Sequence, residues 1–360
     1  MKPHAIAAAI LPLALGAPTA FAGIQLGEHV TLSGFGTLGA VVTDNDEAQF
    51  RTESRQPRGA DDSVDFGVDS KLGVQANVKF NETFSAVGQI LTSRRMSDRP
   101  VVEWLYGQAQ LPAGFSVKLG RMVLPTFMIS DSRAVGYASH WLRAPQEVYG
   151  SYPPSYFDGG QLQYRNAFGP VNATLQLSIG RTETDIHVGG VKAPLEMSKL
   201  RSLNLLLESG NWLVRLGHTV APDAELKGLG IPPTDDQFSG LGLQYDNGTA
   251  LVMAEYAVRR QGGGKPFESD GWYLSGGWRF GAWMPYATVS RFTPKGVMYG
   301  TRQKDSTDAV GVRWDAMKNV AIKAQVQRVD SAAAFVKATP GFLAKRPEVN
   351  VYGIAVDFVF

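Results

Sequence analysis

The chain has 360 residues, no cysteine, and a formal net charge of +2 from 35 basic and 33 acidic side chains. That balance excludes a generic nucleic-acid binder, which carries a basic excess; the absence of cysteine excludes disulfide stapling, thiolate catalysis and cysteine-based zinc sites. Apolar residues at 44% exclude a disordered chain, and 40 glycines with 10% aromatics favour strands and turns over helices.

Residues 1–22 read as a secretory signal. Lys2 gives the positive start, Ala5 to Leu15 is apolar apart from Pro12, and Ala20-Phe21-Ala22 has the small-x-small form of a cleavage site, with the cut between Ala22 and Gly23. The run is too short, and too interrupted by Pro12, Gly16 and Pro18, for the roughly 20 residues of a spanning helix. Residues 23–360 then form one exported domain, and any membrane crossing falls to strands.

Alternation with period two runs through this domain. In 71–80, Leu72, Val74, Val78 and Phe80 oppose Lys71, Gln75, Asn77 and Lys79; in 171–179, Val171, Ala173, Leu175, Leu177 and Ile179 oppose Asn172, Thr174, Gln176 and Ser178. The segments 272–280 and 320–327 repeat the pattern. A strand sends alternate side chains to opposite faces, so each segment has one apolar and one polar face.

A soluble sandwich alternates too, so the connections decide. Short turns fall near Asn81-Glu82-Thr83, Pro112-Ala113-Gly114, 166–169, Ser209-Gly210-Asn211, Asp246-Asn247-Gly248, Phe280-Gly281-Ala282 and 316–319. Longer polar stretches lie at about 43–69, 93–101, 122–159, 181–199, 221–237, 260–270, 293–307 and 330–348. Seven turns alternating with eight loops predict an all-β fold, a transmembrane antiparallel β-barrel of about 16 strands with a water-filled lumen. Phe80, Phe84, Trp212, Tyr245, Phe280 and Trp283 near the turns suit an interfacial aromatic girdle.

Four short motifs carry a family likeness: Leu32-Ser33-Gly34-Phe35-Gly36, Ser70-Lys71-Leu72-Gly73-Val74, Lys118-Leu119-Gly120-Arg121, and a last strand from Tyr352 to Phe360. In this order they resemble the general-diffusion trimeric porins of Gram-negative outer membranes. The resemblance implies a homotrimer in contact with outer-membrane lipid, passing small hydrophilic solutes and ions, with no cofactor, no metal and no nucleic acid. It also implies that Phe358 and Phe360 signal to the barrel-assembly machinery, and that the long third loop, 122–159, folds into the lumen as a constriction. Two departures stand out. Lys71 holds one expected basic position, but Tyr156 stands where arginine is common. The loop mixes Asp131, Glu147 and Asp158 with Arg133, Arg143 and His140.

Other motifs lose to this reading. Gly34-Phe35-Gly36-Thr37-Leu38-Gly39 matches G-x-G-x-x-G but is followed by Ala40-Val41-Val42-Thr43 rather than a helix. Gly262-Gly263-Gly264-Lys265 lacks the Ser/Thr and helix of a phosphate loop. The histidines of 23–360, His29, His140, His187 and His218, are widely spaced; His140 beside Ser139 is the one candidate dyad, and adjacent extended residues point apart. An enzyme is not expected. The alternatives are a substrate-selective channel of the same build and, in another class, a plugged barrel acting as enzyme or adhesin.

Alternation also assigns charges. Nine cations would line the lumen (Lys71, Lys79, Lys118, Arg165, Arg215, Arg259, Arg279, Arg313 and Lys323) against four anions (Glu208, Glu255, Asp315 and Asp357). The loop charges (Asp131, Glu147 and Asp158 against Arg133 and Arg143) subtract one from that excess, and a lumen still positive predicts a modest anion preference or none. In the fifth strand, parity puts Arg121 on the apolar outer face, where a lipid-facing cation costs about 2–4 kcal/mol near the midplane. A subunit interface would remove that cost, with Asp98 of a neighbouring copy as the partner; the alternative is a rim arginine snorkelling to the headgroups.

Overall fold

The period-two segments pair with their neighbours in chain order. A computed structural model describes residues 23–360 except 97, 189–190, 231, 263–266, 297–303, 332 and 346. The leader 1–22, with Ala22 at the expected cut, and the Gly263-Gly264-Lys265 tip lie outside the described residues; Gly23 lies inside them.

Sixteen strands form the wall: β1 (Val30–Thr43), β2 (Lys71–Lys79), β3 (Phe84–Ser93), β4 (Val101–Gln110), β5 (Phe115–Val123), β6 (Tyr156–Phe168), β7 (Val171–Val188) and β8 (Val191–Ser209), then β9 (Trp212–Leu226), β10 (Thr234–Asp246), β11 (Ala250–Gln261), β12 (Phe267–Trp278), β13 (Trp283–Gly296), β14 (Asp305–Met317), β15 (Val320–Asp330) and β16 (Val349–Val359). Each is antiparallel to the next, and β16 closes on β1 from Val351↔Thr43 to Val359↔Phe35. Closure leaves no open edge in hydrocarbon, where an unpaired backbone group is costly.

Glycines explain the closing seam. The Phe360 ring lies where a Cβ at Gly34 would stand, and the Phe358 ring does the same at Gly36. Phe360 also exchanges backbone hydrogen bonds of 2.8 and 2.9 Å with Gly34. The Gly34-Phe35-Gly36 run is thus a flat seat for the last strand's rings. Turn glycines such as Gly210 and Gly281 sit at φ 55° and 60°, the left-handed region that favours glycine.

Parity holds in the wall. On β7, Leu177 and Ile179 are exposed outward while Gln176 and Ser178 are buried against the lumen. Phe80, Phe84, Trp212, Phe280 and Trp283 lie exposed at the short-turn end, and Trp283 stacks on Trp314 at 5.1 Å. One expectation fails. The stretch 181–199 is not a loop, because β7 and β8 continue to Val188 and Val191. Its outer face is polar, with Glu183 and Asp185, and its inner face mixes Thr182 and Thr184 with Ile186, Leu195 and Met197, so composition hid a strand.

Candidate functional site

The third loop leaves β5 at Val123 and returns at β6 from Tyr156. Its aromatic and aliphatic residues drive it inward. Phe127, Met128, Trp141, Val148, Tyr149 and Tyr152 are buried in one cluster with wall residues Leu200, Phe238, Met253, Ala257, Tyr273 and Tyr286. The wall of β8–β13 is therefore covered by the loop. The facing wall of β2–β7 stays polar, with Gln75, Gln89, Lys118, Gln161 and Gln176 turned inward.

Polar tethers fix the loop. Arg143 grips Asp69 through Nε at 3.0 Å and Nη2 at 2.8 Å. Lys323, fully buried, donates to the carbonyls of Gly136 (2.7 Å) and Trp141 (3.0 Å) and pairs with Asp357 at 2.9 Å. Arg313 donates to the carbonyls of Tyr137 (2.6 Å) and Ser139 (2.8 Å). Glu147 accepts from Ser290 (2.7 Å) and Thr307 (2.6 Å). Burial raises its pKa, and the two hydroxyls oppose that rise. Glu255 accepts from the Met128 N–H at 2.9 Å and the Tyr149 hydroxyl at 2.8 Å.

Most residues named from the sequence meet in this lumen. Arg133 donates to the Tyr149 carbonyl at 2.8 Å; Arg215 binds Asn204 at 3.0 Å and faces Asp131 at 3.8 Å. Arg165 lies 3.9 Å from Glu208, and Arg279 forks onto Asp246 at 2.7 and 2.8 Å. His140 is buried, its Nε2 2.7 Å from Ser275 Oγ rather than beside Ser139.

Asp158 is a correction. The loop assignment places it in the constriction, but β6 turns Phe157 inward and Asp158 outward, in register with Arg121. Arg121 binds both carboxylate oxygens at 2.8 Å and stacks over the Tyr156 ring at 4.2 Å. The outward cation is thus neutralised within the chain. Asp98 lies elsewhere, paired with Arg58 at 3.1 Å.

The first and second loops contribute residues that alternation did not single out. Glu53 draws in Arg55 (2.7 Å), Arg133 (3.5 Å) and Arg95 (3.8 Å). Burial alone would raise the Glu53 carboxyl, but these guanidinium groups overcome it and hold it well below the carboxylate range. Arg95 also reaches Glu103 at 3.1 Å. A bulge between Gln89 and Ile90 shifts the β3–β4 register beside Glu103, which breaks the simple alternation there.

The lumenal charges do not cancel evenly. Asp69, Glu103, Asp131, Asp236, Asp246, Asp315, Asp357 and Glu208 each face an arginine or lysine within 4 Å, and Glu147 and Glu255 are held by hydroxyls. Lys71 and Lys118 face the same lumen and form no ion pair among the described residues; Lys118 lies 5.3 Å over the Tyr106 ring.

Comparison with known proteins matches this architecture. Residues 7–334 fit the family described as Gram-negative porin. A search of curated proteins finds no match. Among solved structures, the anion-selective porin from Comamonas acidovorans is similar at TM-score 0.61 and 14% identity, over 92% of this chain and 99% of that one. OmpF of Salmonella typhi, in complex with daunomycin, gives TM-score 0.60 and 13% identity over 92% and 97%. The trimer form of OmpT from Vibrio cholerae gives 0.59 and 14% over 92% and 100%. With a closed sixteen-stranded wall, an inward third loop and a family match over nearly its whole length, the chain belongs to the Gram-negative porin family, outer-membrane channels for the passive diffusion of small hydrophilic solutes.

Proposed function

We propose that this porin is a narrow channel with a preference for anions. The observation that carries it is the pair Lys71 and Lys118, lumenal cations that form no ion pair among the described residues, while Glu103, Asp131 and Asp357 beside them are matched by cations. Fixed unpaired charge raises the local concentration of counter-ions, and the low-dielectric wall strengthens the field. Salt limits its reach to about 8 Å at physiological strength, so charges at the constriction outweigh those at the rims. The test is the reversal potential across a planar bilayer in a tenfold KCl gradient. Chloride carries the larger share of current, and the double variant Lys71→Met, Lys118→Met moves the reversal potential towards zero. A cation-selective sign in the unaltered protein refutes the proposal.

Several further properties follow as part of the same reading. The protein works as a homotrimer, as the trimer form of the Vibrio OmpT does. Its exposed outer leucines and valines meet lipid, its leader is cut between Ala22 and Gly23, and Phe358 and Phe360 are read by the barrel-assembly machinery. It has no catalytic role: the charges acting on His140 are Lys323, Arg313 and Arg279, all cations, the reverse of the carboxylate that orients a catalytic imidazole.

A further inference from the structure

On the outer face, the apolar run of several strands ends in arginine. The next outward residue beyond it is Arg121 on β5, Arg181 on β7, Arg201 on β8, Arg260 on β11, Arg291 on β13 and Arg328 on β15. This is the rim away from the short turns, where the hydrocarbon band gives way to headgroups. Four of these arginines take a carboxylate from the next strand or the segment leading into it. Arg121 pairs with Asp158 at 2.8 Å, Arg260 with Glu268 at 3.2 Å, Arg291 with Asp308 at 2.5 Å, and Arg328 with Glu348. Arg181 and Arg201 are exposed and form no ion pair among the described residues.

Register brings these two together. Arg201 opposes Ile179, and Arg181 is the next outward residue on β7. They are diagonal neighbours on one face, about 7–8 Å apart. Between Met197 and Leu200 β8 carries a bulge, so Ser198 and Lys199 both oppose Arg181. Lys199 is exposed as well and adds a third cation.

Most nearby carboxylates are engaged elsewhere. Asp158, in register with Arg181, gives both oxygens to Arg121. Asp223 accepts from the Ser198 hydroxyl and from the Lys199 N–H at 3.2 Å. Asp185 pairs with Lys192 at 2.7 Å, while Glu225 and Glu196 share Lys227. Glu183, one step further out on β7, forms no ion pair with either arginine among the described residues. Like charges side by side on a sheet are unfavourable, so the cluster calls for an anion from outside the chain.

The surroundings say which anion. Leu177, Ile179 and Leu203, just inside the rim, are 46%, 66% and 47% exposed, a surface suited to acyl chains. A guanidinium offers a planar fork of N–H donors that matches phosphate oxygens, and two forks fit one phosphate. A zwitterionic headgroup brings its own ammonium, which these cations repel. A phosphomonoester brings none.

We propose that Arg181 and Arg201, with Lys199, bind the phosphate of a phosphomonoester-bearing lipid in the outer leaflet, its acyl chains lying along Leu177, Ile179 and Leu203. The proposal rests on the reading that this face meets lipid rather than another copy of the chain. The experiment is a lipid titration of the delipidated full-length protein in detergent, read by native mass spectrometry. Diphosphoryl lipid A binds saturably, phosphatidylethanolamine binds about tenfold or more weakly, and millimolar inorganic phosphate does not displace the bound lipid A. Arg181→Gln and Arg201→Gln each raise the Kd for lipid A about tenfold, the loss of one charge-assisted contact. The double change Arg291→Gln, Asp308→Asn, which removes a matched rim pair, leaves that Kd unchanged. The proposal is overturned if phosphatidylethanolamine binds as well as lipid A, or if inorganic phosphate displaces the lipid, which marks a site for free anions. It is equally overturned if both arginine variants keep the wild-type Kd, or if the Arg291 and Asp308 change weakens binding as much as they do. The wild-type comparisons decide even where a variant fails to assemble. Unheated gel migration tests the underlying reading separately: if Arg181→Gln or Arg201→Gln dissociates the oligomer, the face lies between copies.

Discussion

Asp69→Asn should loosen the third loop without opening the barrel. Arg143 and Asp69 are 4% and 7% exposed, and their contact is two-pronged. Removing one partner of such a pair strands a buried charge, which costs about 3–5 kcal/mol. Arg143 keeps Gln327 at 3.3 Å and the Phe50 ring at 5.6 Å, so the cost should fall at the lower end. Even about 3 kcal/mol shifts a local opening equilibrium by roughly a hundredfold. The freed stretch is bounded, because Lys323 still holds the Trp141 carbonyl and Glu147 still holds Ser290 and Thr307. The opening therefore concerns the segment between Trp141 and Glu147, while the ladder of β1 to β16 is untouched.

The assay is single-channel conductance and open-channel noise in planar bilayers, with unheated gel migration as the check on assembly. Asp69→Asn raises both conductance and noise. Arg143→Lys keeps the charge but loses the planar fork and falls in between. Asp246→Asn is the control: its partner is Arg279 rather than the loop, so the current stays at the wild-type level. A well-assembled Asp69→Asn channel with wild-type conductance and noise would show that the apolar cluster alone holds the loop.

The outer-face pair gives a second prediction: Asp158→Ala, which leaves Arg121 alone on the lipid face, lowers the heat stability of the assembled barrel more than the double change Arg121→Ala, Asp158→Ala. Equal losses on heated gels would refute the pairing argument, and the coupling is kept to about 1 kcal/mol because both side chains are about a third exposed (32% and 34%). A third concerns acid: burial first, then Lys323, Arg313 and Arg279, hold the His140 imidazole well below its ordinary value. A released loop protonates this group near pH 6.5 whereas the packed loop keeps it neutral, so loop stability is full above about pH 6.5 and falls as the pH drops below it. Channel noise should rise on acidification, and His140→Gln should flatten that rise; superimposable pH profiles would sink the idea.

Much of the wall was legible because a barrel strand carries its own evidence. Leu177 beside Gln176, or Val326 beside Gln327, announces two solvents on two faces, and turns such as Asp246-Asn247-Gly248 punctuate them. The long loop could be read as an insertion, and its aromatic content is what buries it. What alternation could not supply was the partner of each charge. Asp158 looked lumenal because it was assigned to the loop; continuing the parity from Gln161 through Gly159 to Phe157 turns it outward. Glu53, Arg55 and Arg95 come from loops with no period at all, and their meeting with Arg133 is set by tertiary folding.

That difference changes what governs selectivity. A count of nine wall cations against four anions treats every charge as free. In the folded lumen Arg259 is matched by Asp236, Arg279 by Asp246 and Lys323 by Asp357, while Arg313 is also spent on loop carbonyls. A paired charge has a short-range dipolar field; an unpaired one acts over a Debye length, about 8–10 Å. The proposed preference keeps its sign, but rests on two lysines instead of nine cations. The distinction is measurable. If the summed wall charge set selectivity, Arg279→Gln would shift the reversal potential as far as Lys118→Met does. If position relative to the constriction decides, Arg279→Gln, which leaves Asp246 unpaired at the turn end of the barrel, shifts the reversal potential less than Lys118→Met, which removes a cation within electrostatic reach of Asp131 on the constriction loop.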